Sequence, residues 1–264
     1  MKKVNRTALI TGASAGIGAS FAHFLAKEGY DLLLVARRAE RLQSLAQQLS
    51  AEYGVRCHIF AADLTQAAAP ADIMNYAKVE GINIDVLINN AGLSGKEAFA
   101  STPWSKLNDE IQLMVTAVTE LCHRVLPHMR QQGWGRIINL SSIAAFSPPG
   151  ASLLYTGIKS YVLSMSQSLD MELKPQGIHV TALCPGFTHS EFHDIMGTRN
   201  AANNLPNVLW QQPEDVVREG WAAVMKGKPV CVPGTVNKLI ASSVRPLPIS
   251  LQYHLGNRLN PFKQ

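Results

Sequence analysis

The chain has 264 residues, of which 47% are hydrophobic and only 16% charged, with a mean hydropathy of +0.03. A chain this apolar buries enough surface to offset its ordering entropy, which excludes a disordered protein. Its 19 glycines and 14 prolines are too few for a fibrous or low-complexity one. The formal charge of +5 is mild, and no basic run, finger or aromatic-interleaved patch accompanies it, so no nucleic-acid partner is expected.

The N-terminus opens with a basic stretch followed by a charge-free one at 7–26, and Ala13-Ser14-Ala15 imitates a signal cleavage site. Gly12, Gly16, Gly18 and His23 interrupt that stretch, which makes it a poor membrane segment. A cytoplasmic chain with no transmembrane helix is expected. Short, buried-looking strands are predicted at 8–11, 32–36, 57–61, 86–89, 137–140 and 180–183, each followed by Gly, Asn, Asp or Ser. Longer segments at 17–28, 39–53, 113–132 and 153–174 read as helices. The second carries the stripe Leu42, Leu45, Ala46, Leu49, and the last meets Pro175 and Gly177 as stop signals. Repeated strand–helix units imply an α/β fold: a doubly wound parallel β-sheet with helices on both faces, of the Rossmann kind. No Pro/Ser-rich linker divides the chain. One domain over 1–264 is expected, with a substrate lid at about 187–213 and a basic, apolar C-terminal extension at about 235–264. The four cysteines lie far apart, with no metal or disulfide spacing, and read as free thiols; no metal is expected.

The first strand runs into Thr11-Gly12-Ala13-Ser14-Ala15-Gly16-Ile17-Gly18 and then a helix. Glycine serves where the chain turns tightly and where backbone must approach a pyrophosphate, and a helix N-terminus adds free N–H groups for that anion. The spacing T-G-x-x-x-G-x-G resembles that of the short-chain dehydrogenase/reductase family. Further motifs repeat the resemblance in order: Asp63 after the third strand, Asn89-Asn90-Ala91-Gly92 after the fourth, and Ser142 at the end of the fifth. Tyr155 and Lys159 follow as Y-x-x-x-K, then Cys184-Pro185-Gly186-Phe187 after the sixth strand. The match covers about residues 4–235.

This resemblance implies a catalytic trio of Ser142, Tyr155 and Lys159. It also implies a cofactor cleft formed by Gly12, Ser14, Gly16, Ile17, Gly18, Asp63, Asn90, Ala91, Gly92, Pro185 and Gly186. Tyr155 and Lys159 also reach the cofactor in such enzymes. Ser190 stands where the family usually has a threonine hydroxyl for the nicotinamide, with Thr188 as an alternative donor. Tyr155 and Lys159 are i, i+4 on one helix, so the ammonium is expected to favour the phenolate. The second strand ends at Ala36, without the acid that would hold the NAD ribose and repel an extra phosphate. Arg37 and Arg38 follow it as guanidinium partners for a 2′-phosphate, so NADP(H) is expected over NAD(H).

Met114 occupies the register where the family often has a proton-relay Asn, and a thioether cannot replace an amide. An NADP(H)-dependent reductase or dehydrogenase of an apolar ketone, aldehyde or oxoacyl compound, or its alcohol, is the leading reading. The other is a catalytically weak or inactive NADP(H)-binding sensor or scaffold. Family membership further implies a homodimer or homotetramer through the helices at 113–132 and 153–174. Six of the 24 basic residues and none of the 19 acidic ones fall at 220–264, which leaves open a peripheral membrane or partner contact there.

Overall fold

The computed structural model describes residues 6–93, 99–146, 154–189, 206, 209–244, 248, 250–251 and 254. Six strands are long: β1 (Thr7–Thr11), β2 (Asp31–Ala36), β3 (Cys57–Ala61), β4 (Ile84–Asn89), β5 (Gly135–Leu140) and β6 (Ile178–Leu183). Two short strands, β7 (Phe187–Thr188) and β8 (Trp210–Gln211), pair with each other, while β9 (Val230–Cys231) joins the main sheet. That sheet has the order β3-β2-β1-β4-β5-β6-β9, and every pairing in it is parallel.

Parallel strands covered on both faces read as continuous apolar runs, as Leu32-Leu33-Leu34-Val35 does. Alternate residues feed two separate cores. Ala8, Ile10, Leu32, Leu34, Val86 and Ile88 face one; Leu9, Leu33, Val35 and Leu87 face the other. The first core is closed by α1 (Gly16–Lys27), α2 (Ala39–Tyr53) and α7 (Pro213–Met225), through Phe21, Leu42 and Trp221. The second is closed by α3 (Ala69–Val79), α5 (Ala117–Gln132) and α6 (Tyr155–Leu173), through Ile73, Leu121 and Ile158. The chain runs outward from β1 to β3 and then returns to start β4 on the other side of β1. Ligands of open α/β sheets settle at such a switch point, beyond the carboxyl ends of the strands.

All six predicted long strands form, most of them extended by one or two residues at the start. The helix predicted at 113–132 is longer and interrupted: α4 (Trp104–Ile111) leads into a π-turn, Gln112–Thr116, before α5. The π-turn is closed by the Ala117 N–H donating to the carbonyl of Gln112. Its polar N-terminal half, with Leu107 as its one buried apolar residue, gives little periodicity to read. The helix predicted at 153–174 starts at Tyr155 and ends at Leu173, followed by a short turn at Lys174–Gln176. The strand β9 lies between Pro229 and Pro233 and is too short to show a pattern.

Of the span predicted as a lid, only 187–189, 206 and 209–213 are among the described residues. The C-terminal extension begins as a helix, α8 (Thr235–Val244), packed on the turn at Ile143–Phe146. Part of its charge is already matched, since Lys238 pairs with Glu219 of α7 at 2.8 Å. No helix among the described residues is long and apolar enough to cross a membrane. All four cysteines are free thiols, and Cys122, Cys184 and Cys231 are buried.

Candidate active site

The glycine turn sits at the switch point because β1 and β4 are neighbours and their loops interlock. The Thr11 hydroxyl accepts the backbone N–H groups of Asn90 (3.0 Å) and Ala91 (3.1 Å) and donates to the Ile88 carbonyl (3.4 Å). The Asn90 amide donates to the carbonyls of Thr11 (2.9 Å) and Gly12 (3.2 Å). Asn90 therefore shapes the turn itself, and Thr11, read in the sequence only as the start of the motif, is its hinge pin.

Gly12 adopts φ +66°, and a Cβ there would lie 2.7 Å from the Asn90 amide nitrogen. A Cβ on Gly18 would collide with the Gly12 carbonyl oxygen and come within 2.5 Å of the same amide. Replacing Gly18 by Ala is thus expected to cost about 3 kcal/mol, because the colliding atoms are largely backbone and cannot step aside. Thermal unfolding with and without NADPH checks this, with a lowered transition and no NADPH-induced rise as the expected result.

The helix α1 starts after Ala15, which offers no capping side chain, so its first N–H groups stay available to an anion. At the end of β2 both Arg37 and Arg38 are exposed. Arg38 folds over the turn, donating from Nη2 to Ser14 Oγ at 3.0 Å and from Nε at 3.3 Å. Asp63 follows β3 and spends one carboxylate oxygen on Thr65, accepting from its N–H at 3.1 Å and its hydroxyl at 2.9 Å. An uncapped helix start and a glycine turn with a guanidinium beside Ser14 fit the pyrophosphate of a dinucleotide.

Across the cleft, β5 delivers Ser142 and α6 delivers Tyr155 and Lys159. Ser142 is near enough to the Tyr155 hydroxyl to ease its ionisation, and the Ser142 oxygen accepts the Ala144 N–H at 3.1 Å. Lys159 Nζ lies 5.4 Å from the Tyr155 ring centre and donates to the Leu140 carbonyl at 2.7 Å. The neighbouring Ser141, missed in the sequence, ties the two elements by donating to the Lys159 carbonyl at 2.7 Å. Deeper still, Asn89 donates to Asn139 (2.9 Å) and Asn139 to Ser166 (3.0 Å), a buried chain that clamps β4, β5 and α6 in register.

Burial dominates the titration of both groups. It pushes the Tyr155 hydroxyl above its ordinary value, against the partial relief of the Ser142 hydrogen bond; the neighbouring Cys184 pushes the same way. The net direction on Tyr155 thus runs opposite to the lowering expected from Lys159: Lys159 Nζ donates to the Leu140 carbonyl, and burial outweighs any help its charge gives the phenolate. Lys159 is itself pushed down to about 8 by the same desolvation.

Pro185 and Gly186 follow β6, and the Pro185 carbonyl accepts the N–H of Ile143, which holds this segment next to Ser142 at 2.9 Å. Thr188 is buried and donates to the Gly186 carbonyl at 3.2 Å. Ser190 lies outside the described residues. Gly92 faces Met114 of the π-turn: a Cβ on the glycine would sit 3.6 Å from the sulfur, and Met114 is fully buried. His179 plays a structural part, its Nδ1–H donating to the Val224 carbonyl at 3.0 Å. No cluster that could hold a metal ion occurs among the described residues.

A glycine turn at the switch point of a doubly wound sheet defines a nucleotide-binding class. The chain belongs to the short chain dehydrogenase family, whose model it matches over residues 6–200. It is therefore an oxidoreductase of that family, acting on CH–OH or C=O groups. A very-long-chain 3-oxoacyl-CoA reductase of Phaeosphaeria nodorum is 38% identical over 178 residues, 66% of this chain and 52% of that protein. The chain thus matches about half the length of that curated relative. A short-chain dehydrogenase from Sphingobium yanoikuyae, solved in complex with NADPH, is 35% identical with a TM-score of 0.81, over 90% of this chain and 92% of that one. The bulky-bulky ketone specific alcohol dehydrogenase from Comamonas testosteroni is 31% identical with a TM-score of 0.78, over 92% and 93% of the two chains.

Proposed function

We propose that the protein is an NADP(H)-dependent carbonyl reductase in which Ser142, Tyr155 and Lys159 act on an apolar ketone, aldehyde or oxoacyl substrate. The observation that carries this reading is the convergence of Ser142, Tyr155 and Lys159 at the carboxyl end of β5, with Lys159 Nζ 5.4 Å from the Tyr155 ring centre and bonded to the Leu140 carbonyl. When bound, NADPH supplies the hydride. A substrate carbonyl oxygen seated against Ser142 and Tyr155 receives two hydrogen bonds that strengthen as negative charge develops on it. Tyr155 then gives its proton to that oxygen. Its raised pKa keeps it protonated at neutral pH, as a proton donor must be. Lys159, one turn along, offsets the negative charge left on the phenolate.

The cofactor would lie with its pyrophosphate on Gly12, Gly16, Ile17 and Gly18, its adenine by Asp63 and its nicotinamide end among Asn90–Gly92, Pro185, Gly186 and Thr188. Ala36, Arg37, Arg38 and Ser14 support NADP(H) over NAD(H), as does the NADPH found with the Sphingobium relative. Replacing Arg37 or Arg38 by Ala is expected to weaken NADPH by about tenfold or more while changing NADH little, since each guanidinium–phosphate contact is a charge-assisted bond. Equal losses for both cofactors would refute the assignment. The apolar substrate class is supported by the bulky-ketone enzyme among the relatives.

The deciding experiment is NADPH and NADH oxidation by the purified chain with a panel of apolar ketones and aldehydes. NADPH-specific turnover is expected. NADPH binding with no turnover of any compound, and a Tyr155→Phe variant that behaves identically, would replace the enzyme by a binding-only protein.

A further inference from the structure

Gly186 has a neighbour that the chemistry above does not use. Asn237, in the first turn of α8, is 5% exposed. Its amide nitrogen donates to Gln211 Oε1 of β8 at 2.8 Å and to the Pro233 carbonyl at 3.1 Å. The same amide lies flush on Gly186, where a Cβ would stand 2.5 Å from Asn237 Oδ1 and 2.6 Å from Nδ2. Gly186 is thus a glycine to admit this amide. A Cβ on Gly234 would stand 2.5 Å from Gln211 Nε2, so the Gln211 and Asn237 side chains fill a slot walled by two glycines.

Asn237 therefore reaches both feet of one small ribbon. β7 begins immediately after Gly186, and β8 ends at Gln211. The ribbon carries Phe187 and Trp210 with ring centres 5.7 Å apart, and His189 stacked on Trp210 at 4.6 Å. Its β7 foot continues the Pro185 segment that is bonded to Ile143, beside Ser142. The helix α8 has a second, independent anchor. Glu219 accepts Lys238 Nζ on one oxygen (2.8 Å) and the Gly234 N–H on the other (3.0 Å).

We propose that Asn237 is a positioning residue for the substrate site: by joining Gly186 to Gln211 it sets where the aromatic β7–β8 ribbon stands beside Ser142 and Tyr155. It controls substrate affinity through the ribbon and leaves the proton chemistry untouched. The kinetic part rests on the reductase reading; the structural part does not.

The test uses the full chain with NADPH and two probe ketones, acetophenone and 2-nonanone, together with hydrogen exchange of peptides covering 186–189 and 209–212. Asn237→Ala is expected to raise the ketone KM about three- to tenfold, the range a lost hydrogen bond commands, with kcat and NADPH affinity within about twofold. Ribbon amides should exchange at least about tenfold faster, because the ribbon loses its tie to α8. Gln211→Ala should reproduce both effects, and the double variant should add little to either single one. Gln211→Glu, which keeps an acceptor for the Asn237 amide, should restore the wild-type values. Lys238→Met cuts the other anchor of α8 and should move neither KM nor ribbon exchange.

Unchanged ribbon exchange in Asn237→Ala would overturn the proposal, and so would a Lys238→Met variant matching Asn237→Ala, since the effect would then be general support of α8. Should wild type reduce neither ketone, that failure belongs to the reductase reading for these substrates, and ribbon exchange alone decides the clamp.

Discussion

Replacing Tyr155 by phenylalanine is expected to lower ketone turnover by about 10²- to 10⁴-fold, the usual contribution of a positioned acid, while NADPH affinity stays within about threefold. The two observables separate because Tyr155 does two things. Its ring helps close the second core, and phenylalanine keeps that packing. Its hydroxyl is the proposed proton source beside Ser142, and only that is removed. The fold should be little affected, since Ser142 retains the Ala144 N–H as a partner. Steady-state turnover beside a fluorescence titration of NADPH checks the split. Turnover within tenfold of wild type would remove Tyr155 from the chemistry.

Replacing Lys159 by methionine is expected to reduce activity by about 10²-fold or more and to change how stability depends on pH. Lys159 is buried at 6% exposure, and desolvation lowers it from 10.5 to about 8. The folded state therefore releases this proton before the unfolded state does. Between about pH 8 and 10.5 the unfolded chain holds more protons, so wild-type stability gains with pH over that window; below it the cost of the buried charge is fully present. The shift corresponds to about 3 kcal/mol, to order of magnitude. The stability difference between wild type and Lys159→Met should accordingly move toward wild type as pH rises from 8, read by chemical unfolding at a series of pH values. Parallel curves for the two proteins would contradict it. Activity should run the other way, falling as pH rises through about 8, because the neutral amine can no longer offset a phenolate. Opposite pH trends for stability and activity are the signature of a charge kept for function in a place that disfavours it.

Much of this site is legible from local pattern. Four consecutive apolar residues at 32–35 demand a strand covered on both faces, and the glycines at 12, 16 and 18 demand a turn with no side-chain bulk. The four-residue spacing of Tyr155 and Lys159 places them on one face of a helix whatever surrounds it. Those are properties of neighbours in the chain, and they were readable together with the order of the strands' terminal motifs.

What local pattern could not supply depends on partners far away in sequence. The Thr11 hydroxyl becomes a hinge pin only when β4 arrives beside β1, 79 positions further along. Asn237 sits in a tail with no recognisable motif, and its meeting with Gly186 and Gln211 requires β6, β8 and α8 to converge. The interruption of the helix before α5 leaves no mark in a segment whose apolar positions are sparse. The titration of the site depends on the assembled fold for the same reason. Spacing puts Lys159 within reach of Tyr155, but the sign of the net shift on Tyr155 follows from how deeply the packed sheet and helices bury it. By itself the sequence determined the strands, the glycine turn and the pairing of Tyr155 with Lys159, because each depends on residues a few positions apart. Only the tertiary structure decided the burial that tunes them and the contacts that hold the cleft in place, because solvent exclusion and long-range contact are properties of the assembled chain.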